Sequence, residues 1–238
     1  DTIVRVDTFR HLVDFMDRHP EAGAAGCKIL NPDGTLQLDS RRGFPTPLAA
    51  FCKMSGLSRF FPNHPTIARY NMTFLDPEEC AEVDVLSGSC MLVRKEAMDE
   101  VGLLDEDYFM YGEDIDLSYR AKQLGRKNYY LGTSTVIHFK GESTIKNRTQ
   151  SKRFYHAMKL FYKKHFKLNF FIGALVKTIT SLAPYIPKFS FTAKRNNKKI
   201  IFLKPCPSPQ WLKKKNLTAI NSIEELPKNI YYDVIFDL

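Results

Sequence analysis

Apolar residues in the first twenty positions recur at Phe9, Leu12, Val13 and Met16, the i, i+3, i+4, i+7 spacing of one helix face, and Pro20 ends the pattern. This predicts a helix from about Asp7 to His19. Ala22 to Leu30 then reads as a strand. Asn31-Pro-Asp-Gly34, with Pro second and Gly fourth, carries type I turn chemistry and predicts a hairpin flanked by Leu30 and Leu36. Residues 41–79 are less patterned: helix potential covers Pro47 to Leu57, and the rest is expected to be mobile. A strand over Glu82 to Val93, a helix over Lys95 to Val101, a helix between Gly112 and Gly125, and strands over Lys127 to Leu131 and Ser134 to Phe139 complete an alternating α/β order.

The pattern changes after residue 145. Lys146 to Lys167 reads as a basic helix carrying Phe154, Tyr155, Met158, Leu160, Phe161, Tyr162 and Phe166. Residues 168–187 are apolar but interrupted by Lys177 and Pro184, short of the ~20 apolar residues a spanning helix wants. Beyond Lys188, the runs Lys199 to Lys204 and Ile230 to Leu238 look like two strands of a further small α/β unit. The predicted organisation is therefore 1–145, 146–187 and 188–238.

Charge sharpens that division. The net charge of +9 splits into −6 over residues 1–142 and +15 over residues 143–238, with no acidic residue between Glu142 and Glu224. A long basic segment beside aromatic and apolar residues suits an anionic membrane surface, where each cation contributes about 1 kcal/mol. The simpler reading is a basic helix packed on the preceding domain with its charges solvated. No motif supports nucleic-acid binding. Five cysteines without Cys-x-x-Cys spacing indicate neither a disulfide framework nor a zinc site, and favour a reducing, cytoplasmic setting.

The candidate chemistry concentrates in Tyr111-Gly-Glu-Asp-Ile-Asp-Leu-Ser-Tyr-Arg120, which places Glu113, Asp114 and Asp116 in a first helical turn. Carboxylates there can simply accept the free N–H groups of the helix end. Two neighbouring motifs argue for more. Upstream, Asp84-Val-Leu-Ser-Gly-Ser-Cys-Met-Leu-Val-Arg94 interrupts an apolar run with small residues at which a ligand can approach the backbone. Downstream, a β-type run delivers His138 to its end, just before Lys140-Gly-Glu-Ser143.

These motifs, with Gly26-Cys-Lys-Ile-Leu-Asn-Pro-Asp-Gly34 before them, resemble in order the family 2 glycosyltransferases, in particular their bacterial rhamnosyltransferase-like branch. The resemblance covers about residues 1–167. It implies the acceptor-side, C-terminal part of a nucleotide-diphospho-sugar transferase A-type fold, a mixed sheet with flanking helices, followed by the basic helical segment. Asp1 matches the last residue of the family's Asn-Pro-Asp motif. An upstream region is expected to hold most contacts to base and ribose, so this chain is not expected to bind a sugar nucleotide alone.

By resemblance Asp114 is the general base that takes the acceptor hydroxyl proton, with Glu113 orienting acceptor or loop. Asp116 and Arg120, four apart, read instead as a structural pair. Asp1 and His138 match the ligands of Mg2+ or Mn2+. Ser87, Gly88, Ser89 and Cys90 would floor the substrate groove, Tyr111 would belong to an aromatic wall, and Arg42, Lys140 and Ser143 are candidates for phosphate contacts. Residues 41–79 would border the acceptor. The implied partners are a nucleotide-sugar donor and a glycan or lipid-linked acceptor, with the inner face of the membrane as the expected location. The competing reading is a non-catalytic fragment that only binds a membrane surface.

Overall fold

The computed structural model describes residues 2–139, 148–166, 199–203, 218–220 and 232–236. Its main sheet is mixed. The 12-residue strand β7 (Lys127–His138) lies at its centre, parallel to β2 (Ala22–Leu30) on one edge. Its other edge is shared end to end by β4 (Cys80–Val83) and β1 (Thr2–Val4), both antiparallel to it, and β6 (Met91–Val93) pairs antiparallel with the far side of β2. The two strands expected over 127–139 are one. The chain keeps pairing through Gly132, with a register shift between Cys27 and Lys28 opposite Leu131 and Thr135.

Strand β2 is buried along its whole length, which its run of small and apolar residues permits. Ala25, Cys27 and Ile29 face Leu12 and Met16 of α1 (Thr8–Arg18), while Ala24 joins Met72, Val83, Leu86 and Tyr130 on the opposite face. That period of two puts a core on each side of the sheet. The helix is where the apolar spacing predicts it, but it is rotated: Thr8, Leu12 and Met16 are buried, whereas Phe9 and Val13 are 61% and 46% exposed. The hairpin also forms, with a Leu30–Leu36 bridge and Gly34 at φ +79°.

The run over 82–93 is broken into β4, β5 (Val85–Leu86) and β6. Asp84 makes the first break. Its buried carboxylate accepts from the Phe44 backbone N–H, from Arg69 and from Lys122, tying four segments together. Strand β5 leaves the main sheet to pair with β3 (Arg41–Arg42). Residues 41–79 are packed at both ends, through Arg41, Arg42, Ala49 and Cys52 and through the buried Ala68, Tyr70 and Met72. They hold α2 (Pro47–Met54) and α3 (Leu57–Phe60), residues 59–66 between are exposed, and the Arg41 guanidinium donates to the carbonyls of Leu75 and Asp76.

Helices α4 (Lys95–Val101) and α5 (Glu113–Gln123) follow, and α6 (Arg148–His165) packs against α5. Ala157, Met158 and Phe161 of α6 share a core with Val85, Tyr108 and Ile115. Phe161 is fully buried; such a side chain contributes about 1.5–3 kcal/mol. The aromatic face of the basic helix therefore turns inward, and Lys152, Arg153, Lys159 and Lys163 turn outward. At the junction Asp116, fully buried, accepts from Arg120 at 2.7 Å and meets His165 at 2.6 Å.

Three parallel strands form a separate sheet in the order β10 (Tyr232–Phe236), β8 (Lys199–Leu203), β9 (Thr218–Ile220). Both runs expected to be strands contribute, and Thr218–Ile220 was not anticipated. Residues 168–187, expected to be apolar and interfacial, lie outside the described residues. Among the described residues no helix is long and apolar enough to cross a membrane.

Candidate active site

Two consecutive residues in the left-handed region, Tyr111 at φ +71° and Gly112 at φ +90°, turn the chain into α5 and so place Glu113, Asp114 and Asp116 in its first turn. The second of these favours glycine, because its positive φ strains an L side chain and a Cβ there would stand 3.0 Å from the Tyr108 ring. Tyr111 carries the unfavourable φ. Its hydroxyl accepts from Gln150 at 3.1 Å and its ring meets Phe154 edge-on, so α6 holds the turn in place.

Asp114 is gripped from three directions. Its Oδ1 accepts the Ile115 N–H at 2.8 Å, and its Oδ2 accepts from Arg42 Nη2 at 2.5 Å and from the Gly88 N–H at 3.3 Å. Arg42 is almost wholly buried and also donates to the Leu86 carbonyl. Burial pulls its pKa down most strongly, but Asp114, Tyr70 and Asp39 outweigh that effect and raise it. The guanidinium is therefore a permanent positive charge. Expected at a phosphate, Arg42 is instead sequestered against Asp114.

Glu113 differs sharply from its neighbour. Its Oε2 is buried without a hydrogen-bond partner among the described residues. Burial, reinforced by the charge of Asp114, raises its pKa. Two adjacent carboxylates thus occupy contrasting environments, one neutralised by a cation and one poorly solvated.

Ser87 to Cys90 bridge the carboxylate and the imidazole. Gly88 donates to Asp114, and a Cβ there would be only 3.7 Å from the Asp114 Cβ. Ser87 Oγ lies 3.1 Å from Ser89 Oγ, which in turn lies 3.3 Å from His138 Nδ1. Gln37 settles the tautomer. Its Nε2 donates to the carbonyls of His138 at 2.7 Å and Leu30 at 3.4 Å, groups that only accept, so its Oε1 is the atom facing Nδ1 at 3.1 Å. In the neutral ring Nδ1 therefore carries the proton and Nε2 the electron pair.

The structure thus brings Arg42, Ser87, Gly88, Ser89, Glu113, Asp114 and His138 together, with Tyr111 at the rim. Cys90 is turned partly inward, its Sγ 3.5 Å from that of Cys27 in a hydrogen-bonded thiol pair. Asp1, Lys140 and Ser143 lie outside the described residues. Asp116 is committed to Arg120, as its spacing predicts, and also to His165. Gln37 and His165 carry no sequence signal, since each acts through a distant partner: His138 lies 101 positions from Gln37, and Asp116 lies 49 from His165.

A family described as glycosyltransferase like family 2 matches residues 1–157. The chain belongs to that family. Within the family it is 40% identical over 133 residues to an N-acetylglucosaminyl-diphospho-decaprenol L-rhamnosyltransferase of Mycobacterium tuberculosis, a match covering 56% of this chain and 42% of that protein. It is 42% identical over 57 residues to the rhamnosyltransferase WbbL of Escherichia coli, covering 24% and 22%. It is 30% identical over 110 residues to the low-salt glycan biosynthesis hexosyltransferase Agl10 of Haloferax volcanii, covering 46% and 30%. The chain therefore spans less than half the length of these curated relatives. The mixed sheet with helices on both faces is the α/β architecture expected of an A-type glycosyltransferase fold.

Proposed function

We propose that this chain carries the acceptor-side chemistry of an inverting glycosyltransferase that moves a sugar from a nucleotide-diphosphate donor to a lipid-linked glycan acceptor. The two rhamnosyltransferases among the relatives favour rhamnose, and dTDP as its carrier is part of the proposal. The single observation that carries the reading is the Asp114 carboxylate, fixed by Arg42 and the Gly88 N–H beside His138.

Asp114 serves as the general base. Its oxygens are oriented before the acceptor arrives, so little reorganisation is needed when the acceptor hydroxyl gives up its proton. That oxygen attacks the anomeric carbon from the face opposite the departing diphosphate, and one displacement inverts the configuration. The small side chains of Ser87 to Ser89 leave room for the acceptor sugar against the backbone. Glu113, on the preceding position, orients the acceptor or the loop.

His138 Nε2, made basic by the Gln37 contact, would hold a divalent cation together with Asp1. When bound, Mg2+ or Mn2+ there would supply positive charge to the leaving diphosphate. Among the described residues no group of three His, Cys, Asp or Glu side chains gathers. The outward-facing cations of α6 favour a location at the inner face of the membrane.

The test is a transfer assay on the complete protein with labelled dTDP-rhamnose and other nucleotide sugars against a polyprenyl-diphosphate-linked N-acetylglucosamine acceptor. Product with inverted anomeric configuration from at least one donor is expected. Retention of configuration would contradict a one-step displacement.

A further inference from the structure

Beside the acid pair lies a second cleft, with a volume of ≈ 300 Å³, which the mechanism above does not use. One wall is Asp107, Tyr108, Phe109 and Met110, and the other is Lys152, Arg153, His156 and Ala157 of α6. Lys152, Arg153 and His156 are all solvent-exposed at its mouth. The Arg153 guanidinium stands 4.9 Å over the Phe109 ring, which orients it. The lone acidic wall residue, Asp107, is paired with Lys164 at 2.6 Å.

The cleft is separated from the acid pair by a single turn of chain. Ala157 lies 3.3 Å from where a Cβ on Gly112 would stand, and Gly112 immediately precedes Glu113. None of Ser87 to Cys90, Asp114 or His138 lines it. The loop that forms its outer wall carries exposed apolar side chains on either side of three acids: Leu103 is 75%, Leu104 51% and Phe109 77% exposed, Asp105 and Asp107 are held by Lys164 of α6, and Glu106 is exposed. Cations at a cleft mouth beside an exposed apolar loop match a ligand that is doubly anionic at one end and hydrocarbon at the other.

We propose that this cleft binds the diphosphate of a lipid-linked acceptor, with the lipid running over Leu103, Leu104 and Phe109. The proposal deepens the transferase reading and rests on it only for the direction of the ligand. The sugar next to the diphosphate reaches over the Tyr111–Gly112 turn to Asp114. Arg153 takes the phosphate oxygens through its planar fork, while Lys152 adds charge.

The experiment measures binding of the complete protein to phosphatidylcholine vesicles doped either with farnesyl diphosphate or, at matched charge, with phosphatidylglycerol. Lys152→Gln/Arg153→Gln should weaken binding to the farnesyl diphosphate vesicles by about tenfold or more, and Arg153→Lys should retain most of it. The control Lys159→Gln/Lys163→Gln removes equal charge from exposed positions on the same helix outside the cleft and should leave that binding within about twofold. Inorganic pyrophosphate should compete. If cleft and control variants weaken both vesicle types equally, α6 senses only membrane charge and the proposal is overturned. It is also overturned if pyrophosphate competes but the cleft variants bind normally. Because no sugar transfer is measured, failure here is distinct from failure of the transferase reading.

Discussion

Arg42 Nη2 and Asp114 Oδ2 meet at 2.5 Å, with side-chain exposures of only 9% and 15%. Seventy-two positions separate the two residues in the chain. Their contact joins strand β3 to the start of α5. Removing one member of a buried pair leaves the other uncompensated, a loss of roughly 3–5 kcal/mol. Arg42→Gln should therefore destabilise the protein by about that amount, while Arg42→Lys, which keeps charge but not the fork, falls between. Denaturant unfolding checks this; an Arg42→Gln protein as stable as the wild type removes Arg42 as the residue that holds Asp114.

Glu113 should respond in the opposite sense. Burial raises its folded-state pKa, so its contribution favours folding below the unfolded carboxylate value of about 4.3 and is lost as pH rises through the folded value. At pH 7 it is a poorly solvated charge. Glu113→Gln should stabilise the protein by about 1 kcal/mol at pH 7, and the gain should shrink toward pH 4. Unfolding midpoints measured across that range decide it, and a Glu113→Gln protein weaker than the wild type at pH 7 would sink the argument.

Asp84 supplies the acid limb of stability. Burial pushes its pKa up, but hydrogen bonding to Lys122 and the charges of Lys122 and Arg69 prevail and lower it. Its contribution is therefore present above the unfolded value of about 3.9 and lost as pH falls through the folded value. Asp84→Asn should cost about 2 kcal/mol at pH 7 and flatten the loss of stability below pH 4. An unchanged acid limb in that variant would assign the effect elsewhere.

Gln37 fixes the His138 tautomer through bonds to both the ring and the backbone of that residue. Nitrogen NMR of the imidazole in the metal-free protein should show the Nδ1-protonated form at high pH. Gln37→Leu should mix the two tautomers. A wild-type ring protonated at Nε2 would remove His138 from the cation site.

Local pattern fixed much of the fold. Ala22–Leu30 and Lys95–Val101 form at their predicted limits because their composition suits one structure and turn residues bound them. The acidic turn was legible for the same reason, through Gly112 and Gly125. What periodicity misses is burial decided by distant partners. Asp84 splits an apparent strand because three segments converge on its carboxylate. Phe9 and Val13 share the helical spacing of Leu12 and Met16, yet α1 presents a different stripe to the sheet. The α6 aromatics read equally well as a membrane face or a core face until Val85, Tyr108 and Ile115 are seen against them. Arg42 reads from sequence as a candidate for phosphate contact because nothing near it in the chain announces Asp114.

The base assignment is tested most directly by Asp114→Asn in the complete protein, with sugar transfer measured at saturating donor and acceptor. The substitution keeps the size of the side chain but removes both its capacity to take a proton and the charge that faces Arg42, so the assay is run at a temperature where circular dichroism shows the variant folded. The account predicts a fall in kcat of about 10²–10⁴-fold with donor binding unchanged. A rate within about twofold of the wild type would contradict it and transfer the proton to another group.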